Sequence, residues 1–266
     1  HTINLYSHFV TVEAFVGKEF DYAVQLIGSG APRMTIPIHS TKVINKFIAD
    51  GWIIGKTVRL GRRGKRLFVD FIFEKECPAK KTEGNIVGMD SNYKNGLVFS
   101  DSQIIGQDIY PRIQTFAKRQ KHTHAEIKSL VGQAFKKIDW INIKTLCIEN
   151  LKRVKRGKRG TFPRILNRRL SHWLHGFMIE RLGQYCEQQG IRLERKNPYK
   201  TSQYCRFCHK WDRRNRKGDK FVCVHCGFSD HADLNASKNL EFLGLVGAYG
   251  LYFLSNPLCL INNHSG

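Results

Sequence analysis

Four cysteines in two C-x-x-C pairs, Cys205 with Cys208 and Cys223 with Cys226, carry the most specific chemistry in the chain. Two thiolates at this spacing can share one tetrahedral Zn²⁺, and a second pair closes a four-sulfur site with no open position, so the ion is structural. The 14 residues between the pairs fall just short of the usual four-cysteine range and suit a short β-hairpin. Gly227, directly after the last cysteine, lets the chain turn so that backbone N–H groups approach the sulfurs; His209 stands where the first knuckle would usually have Gly. A redox dithiol, the competing reading, would normally have one pair. Lys210, Arg213, Arg214, Arg216, Lys217 and Lys220 stud the hairpin, with Trp211 and Phe221 among them. Cations interleaved with aromatics suit phosphate contact and base stacking; the alternative is a solvated hairpin whose aromatics only cover the metal.

Three carboxylates form the second constellation. Asp90 and Glu149 each end a strand-like run, and Asp233 opens a helix just beyond the cysteines. Alone, each reads as a turn or cap residue. Brought together they would repel strongly unless a cation intervened. Mg²⁺, a hard ion that keeps bound waters, suits such a set. Two such ions about 4 Å apart can activate water and stabilise the leaving oxygen of a phosphodiester. Asp230 and Asn235 flank Asp233 as supporting or capping residues.

The elements that must position these groups follow from periodicity. Residues 1–84 read as all-β, with short β-rich runs punctuated by Gly and Pro, and fit a small barrel; Arg62, Arg63, Lys65 and Arg66 form a basic turn between two of its strands. "IVGMD" then starts a three-stranded antiparallel meander, with Leu97–Phe99 and Ile104–Ile105 as its second and third strands. A helical stretch carries Ile127, Leu130, Val131, Ala134, Phe135 and Ile138 at 3–4 spacing. "KTLCIENL" is a buried-type strand, followed by a basic loop with Lys152, Arg153, Lys155 and Arg156, a long helix from Pro163 to Gly190, and the strand "IRLER". The order β-β-β-α-β-α-β, then the cysteine module and a helix over Asp233–Leu243, is that of an α/β ribonuclease H-like fold. Such a sheet makes its first and fourth strands neighbours, which unites the three acids. The apolar, Gly-rich tail beyond Leu243 is assigned no role.

Forty-four Lys and Arg stand against 22 Asp and Glu, a formal net charge of +22. That balance favours a polyanion, above all nucleic acid, with an anionic membrane surface as the competitor. No run of about 18 apolar residues could span a bilayer, no signal peptide is visible, and paired cysteines of metal spacing suit a reducing cytosol. The remaining four cysteines, Cys77, Cys147, Cys186 and Cys259, read as ordinary thiols, and no small-molecule substrate is indicated. The chain begins at His1 rather than Met, which leaves open a preceding portion.

"IVGMD", "LCIENL", "YKTSQYCRFC…CVHCGF" and "DLNASKNL" together resemble the split RuvC-type nuclease of the TnpB family, transposon-encoded RNA-guided DNA nucleases related to compact type V CRISPR effectors. The resemblance covers roughly residues 85–245, and the β-rich start resembles the family's wedge domain, which grips guide RNA. It implies that Asp90, Glu149 and Asp233 are the catalytic Mg²⁺ ligands and that the four cysteines hold zinc in the element binding target nucleic acid. It implies guide RNA and target DNA as partners, a prokaryotic cytosolic setting, and sequence choice by base pairing. The implied division is a wedge over 1–84, the RuvC nuclease over 85–203 and 229–266, and a zinc ribbon over 204–228. A nuclease-inactive RNA-guided repressor and a guide-independent zinc-ribbon DNA-binding protein are the alternatives. The sequence departs from the pattern in "SNYKN" after Asp90, in a short span between Asp90 and Glu149, and in lacking a helical recognition lobe in the first 84 residues.

Overall fold

The computed structural model describes residues 2–15, 19–28, 30, 32–92, 94–119, 124–151, 175–197 and 199–246. The basic loop with Lys152, Arg153, Lys155 and Arg156, the first half of the expected long helix and the apolar tail beyond residue 246 lie outside them. The chain separates into two compact units, 1–76 and 77–266.

In the first unit, β1 (Thr2–Leu5), β5 (Ile53–Arg63) and β6 (Arg66–Glu74) form one antiparallel sheet, and β2 (Val10–Ala14), β3 (Tyr22–Leu26) and β4 (Met34–Ile38) form another. Val10, Val24 and Val58, from both sheets, make one buried cluster with Leu26, Ile36, Val69 and Phe71. Where a small barrel was expected, two three-stranded sheets share a core; among the described residues no ladder joins them. A short helix, α1 (Lys42–Ala49), begins at Thr41, whose Oγ1 accepts a hydrogen bond from the Ile44 amide at 3.2 Å. Gly64, at φ +62°, makes the β5–β6 turn, and Arg62, Arg63, Lys65 and Arg66 are all exposed around it.

The second unit is built on one five-stranded sheet in the order β11-β10-β7-β8-β9. β7 (Asn85–Asn92), β8 (Gly96–Phe99) and β9 (Ile104–Ile105) are the antiparallel meander; β10 (Ile143–Glu149) pairs parallel to β7, and β11 (Arg192–Lys196) parallel to β10. α2 (Ile109–Arg119), α3 (His124–Phe135) and α4 (His175–Gln188) bury Ile113, Ile127, Val131, Phe135 and Leu182 in a cluster with Val87, Met89, Leu146 and Ile148. On the opposite face lies α5 (Ala232–Val246), whose Leu240 and Leu243 pack with Cys147 and Ile86. The cysteine module adds β12 (Arg216–Lys217), β13 (Lys220–Val222) and β14 (Ser229–His231) as a small antiparallel sheet, and β14 runs straight into α5. Two helices stand between β9 and β10 where one was expected. α2 went unseen because its amphipathic signal is short: Ile109 and Ile113 are buried four residues apart in a cation-rich segment. No helix among the described residues is long and apolar enough to cross a membrane.

Strand parity decides what faces α5. Successive side chains alternate across a sheet. Val87 and Met89 therefore enter the helical core, while Ile86, Gly88 and Asp90 face α5; Leu146 and Ile148 likewise oppose Cys147 and Glu149. Gly88 lets the helix lie directly on β7: a Cβ there would overlap the Ser237 carbonyl oxygen and the Glu241 amide. Neither is a flexible side-chain end that could swing away. Gly88→Ala is therefore expected to destabilise the second unit by about 1–3 kcal/mol, the usual cost of over-packing, read as a lower urea midpoint with unchanged slope.

Candidate active site and thiol cluster

The register of the parallel pair β7–β10 places Cys147 opposite Gly88 and Ile148 opposite Met89, so Glu149 falls beside Asp90 on the α5 face. β7 runs two residues past Asp90, to Asn92. Asp233 lies in the first turn of α5 and is fully buried, and Asp90 is only 8% exposed. The three acids, up to 143 positions apart, thus sit within electrostatic reach of one another. Burial first, and then the charges of Glu149 and Asp233, hold the Asp90 carboxyl well above its ordinary value, with Arg216 opposing. Burial also raises Glu149, against a hydrogen bond from Thr201 and the charge of Arg216.

Each acid is held by named partners. The Thr201 hydroxyl donates to Glu149 Oε1. Asp233 accepts from Asn92 Nδ2 at 3.1 Å, from Asn95 Nδ2 at 2.7 Å and from the Arg216 guanidinium at 3.1 Å. Asn92 ends β7 and Asn95 lies in the turn that follows, both in the stretch where the sequence departs from the family pattern, and neither was expected in the site. Arg216 was expected to contact nucleic acid. Instead its Nε donates to the Gly218 carbonyl at 3.0 Å and its terminal nitrogen turns onto Asp233, a cation set against three carboxylates. The carboxylate oxygens are spread more widely than the thiols: among the described residues only the four cysteines bring three or more ligand atoms within 4.8 Å of one another. An open groove of about 340 Å³ runs beside Glu149, lined also by His175, Glu180 and Arg195.

The other expected contacts divide. Arg213 is exposed, whereas Arg214 is bound to Asp212 through two hydrogen bonds of 3.0 and 2.8 Å. Arg62 donates to the Gly64 carbonyl, and Arg63 lies over the Phe68 ring at 4.6 Å. Asn235 and Asp230 do not cap α5. Buried Asn235 accepts from the Arg206 amide and donates to the Tyr204 carbonyl, and Asp230 pairs with Arg206 at 2.8 Å.

The thiol cluster has the geometry of a four-sulfur metal site. Cys205 and Cys226 sulfurs lie 3.7 Å apart, and Cys208 and Cys223 sulfurs 3.5 Å; a tetrahedral ion with bonds of about 2.3 Å would space its sulfurs by about 3.8 Å. Gly227 (φ +76°) and His209 (φ +55°) take the same left-handed turn after each knuckle, and the amide of each donates to the first cysteine's carbonyl of its pair. His209 accepts a conformation that favours glycine and stacks its ring on Phe242 of α5 at 4.9 Å. Burial opposes ionisation of Cys223, and backbone N–H groups of Cys226 and His225 outweigh it, holding that thiol below its ordinary value; burial holds Cys205 and Cys208 above theirs. Phe221 is buried with Cys205, Cys223 and Ala232, so it covers the thiols, while Trp211 remains exposed.

A family model described as the Cas12f1-like TNB domain matches residues 175–240, which carry α4, β11, the thiol cluster and Asp233. A TnpB-like protein of Aquifex aeolicus is 34% identical over 93 residues, 34% of this chain and 30% of the relative. The CRISPR-associated endodeoxyribonuclease Cas12f1 of Sulfoacidibacillus thermotolerans is 33% identical over 75 residues, 28% of this chain and 18% of that protein. The matches thus span less than a third of either relative. In three dimensions, the Cas12f1 chain of a complex with single guide RNA and target DNA superposes with a TM-score of 0.52 at 16% identity, over 90% of this chain and 59% of that one, a likeness of fold. By domain, sequence and fold, the chain is similar to TnpB-like and Cas12f1 proteins.

Proposed function

We propose that the chain is the catalytic portion of an RNA-guided DNA endonuclease, with a ribonuclease H-like RuvC domain, a zinc ribbon inserted before the third acidic residue, and a wedge-like first unit that grips guide RNA. The observation that carries this reading is the strand register: Glu149 falls beside Asp90 on the face where α5 delivers Asp233. Carboxylates so buried, and with pKa values so raised, suit a site made for cations. Asp90, Glu149 and Asp233 would hold two Mg²⁺ ions, which when bound supply a nucleophilic water and counter-charge for the leaving oxygen of a phosphodiester.

The chain's own groups do the positioning. Thr201 fixes Glu149, and the amides of Asn92 and Asn95 fix Asp233. Arg216, which pairs with Asp233 and whose charge acts on Asp90 and Glu149, is placed to follow negative charge from the carboxylates to a bound phosphate. The four thiols fit a structural zinc that holds the hairpin carrying Arg216. The exposed basic turn of the first unit suits a nucleic-acid backbone.

The test is purification from a host carrying the flanking DNA, sequencing of the copurified RNA, and incubation with Mg²⁺ and a DNA target matching that RNA. Cleavage is expected for the matched target and not for a scrambled one. Stoichiometric RNA with matched binding and no cleavage would assign the chain as a repressor, and the absence of RNA would assign it as guide-independent.

A further inference from the structure

We propose that Tyr199, Lys200 and Trp211 form a subsite for one unpaired nucleobase and its phosphate at the edge of the acidic site, a detail that rests on the nuclease reading above. The Lys200 ammonium lies 3.3 Å from the Trp211 ring centroid and 4.7 Å from the Tyr199 ring centroid. Tyr199 is 65% and Trp211 38% exposed. Two rings meeting solvent on a fixed cation are unusual for a mere cover, and the thiol cluster already has Phe221 and Phe228 packed on it.

The arrangement is built. Lys200 takes the left-handed conformation (φ +59°), and its carbonyl accepts from the Gln203 and Tyr204 amides at 2.8 and 3.2 Å, which closes a tight turn. Trp211 bridges to Tyr204 and donates its Nε1–H to Gln203 Oε1 at 2.9 Å, while Asn215 donates to the Gln203 carbonyl at 3.0 Å. The polar edge of the indole is thereby satisfied, and what it offers a ligand is its π-face. Among the described residues no carboxylate pairs with Lys200. An ammonium so placed is open to a phosphate oxygen, and cation–π contact keeps it in position.

Location fixes the ligand class. The next residue, Thr201, hydrogen-bonds Glu149, so the Lys200 cation that the two rings share lies one peptide bond from the residue that holds this carboxylate. A duplex hides the π-faces of its bases; a single strand exposes them, and base–aromatic stacking tolerates any sequence. The subsite therefore takes a single strand, whose phosphates continue toward the acids.

The experiment measures binding of a single-stranded DNA oligonucleotide carrying 2-aminopurine to the purified chain without Mg²⁺, so the subsite is judged apart from cleavage. The parent should quench the fluorophore on stacking. Tyr199→Ala with Trp211→Ala should weaken binding about 10- to 100-fold and relieve the quenching, with zinc content unchanged. Trp211→Phe should retain most of both. Lys200→Ala should lower the salt dependence of binding by about one counterion. On a cleavable strand with Mg²⁺ the double variant should raise KM and leave kcat within about twofold. Binding within twofold of the parent, in a double variant that keeps its zinc, would overturn the subsite, as would Tyr199→Ala and Trp211→Phe losing affinity equally with zinc. A parent that stacks the base yet never cuts would sink the nuclease reading and leave the subsite standing.

Discussion

Asp90→Asn is expected to lower cleavage of a matched strand by about a thousand-fold or more and, at the same time, to raise the melting temperature of the metal-free protein at neutral pH. Both follow from one fact: a buried carboxylate is surrounded by two others, and burial with their repulsion holds its pKa well above the ordinary value. If Asp90 holds a metal as proposed, removing its carboxylate forfeits several kcal/mol of charge stabilisation in the transition state. In the metal-free fold the same charge is a liability. An amide keeps the shape and can donate toward Asp233 as a protonated Asp90 does, without the repulsion. A residue important only for folding would move both readouts downward. Unchanged cleavage by Asp90→Asn would remove the acidic set from the mechanism.

The sign of the pH dependence follows. Asp90 and Glu149 have folded-state pKa values above the unfolded value of about 4. Between the two values the folded protein binds more protons than the unfolded chain, so the stability of the metal-free protein falls as pH rises through that window. Asp212 and Asp219 act in the opposite sense. Arg214 holds the first below its ordinary value and Lys94 the second, so their contributions are present above the unfolded value and are lost only as pH falls through the lowered ones. On the proposed reading, divalent ions would bind the ionised set. The rise in melting temperature on adding Mg²⁺ should therefore be large at pH 7.5 and shrink toward pH 5, and Asp90→Asn should flatten the metal-free profile.

Much of this site is legible in one dimension because strands and knuckles have short, rigid periods. In "IVGMD" and "LCIE" the apolar residues sit on both parities, yet the acid of each shares parity with the smallest residue, Gly88 or Cys147, and those face α5. The thiol spacing fixes a cluster whatever surrounds it. Arg216 was not legible: six cations stud the hairpin, and only the Gly218 turn and the ion pair with Asp233 at the start of α5 direct this one inward. Asn95 escaped because a turn with Gly96 explains it equally well, and Asn92 because it sits beyond the recognisable end of the strand at Asp90. α1 escaped because eight residues carrying Val43, Ile44, Phe47 and Ile48 satisfy a strand as readily as one helical face.

Removing the zinc, or replacing Cys223 by Ser, is expected to abolish cleavage and the Mg²⁺-induced rise in melting temperature, although no thiol contacts an acid. The coupling is traceable atom by atom. The first knuckle is pinned to α5 by Asn235 and Asn239, whose amides donate to the Tyr204 carbonyl at 2.7 and 2.9 Å; Asn239 also donates to the Thr201 carbonyl at 2.8 Å. Thr201 in turn holds Glu149. From the second knuckle, β14 leads into α5 and Asp233, and β13, which enters that knuckle, pairs with β14 and with β12, the strand that carries Arg216. A structural zinc contributes about 10–16 kcal/mol of apparent binding energy to a module of this kind, comparable to the whole stability of a domain. The module's own buried cluster, Cys205, Phe221, Cys223 and Ala232, is too small to replace it. The five-stranded sheet has a separate core around Phe99, Phe135 and Leu146 and should survive, so far-UV ellipticity changes little while the acids lose their supports. Restoring zinc to chelator-treated protein should restore Mg²⁺ binding and cleavage together. Full cleavage by a zinc-free protein would show that the acidic set is held by the sheet and α5 alone, and that the network through Thr201 and Arg216 is dispensable.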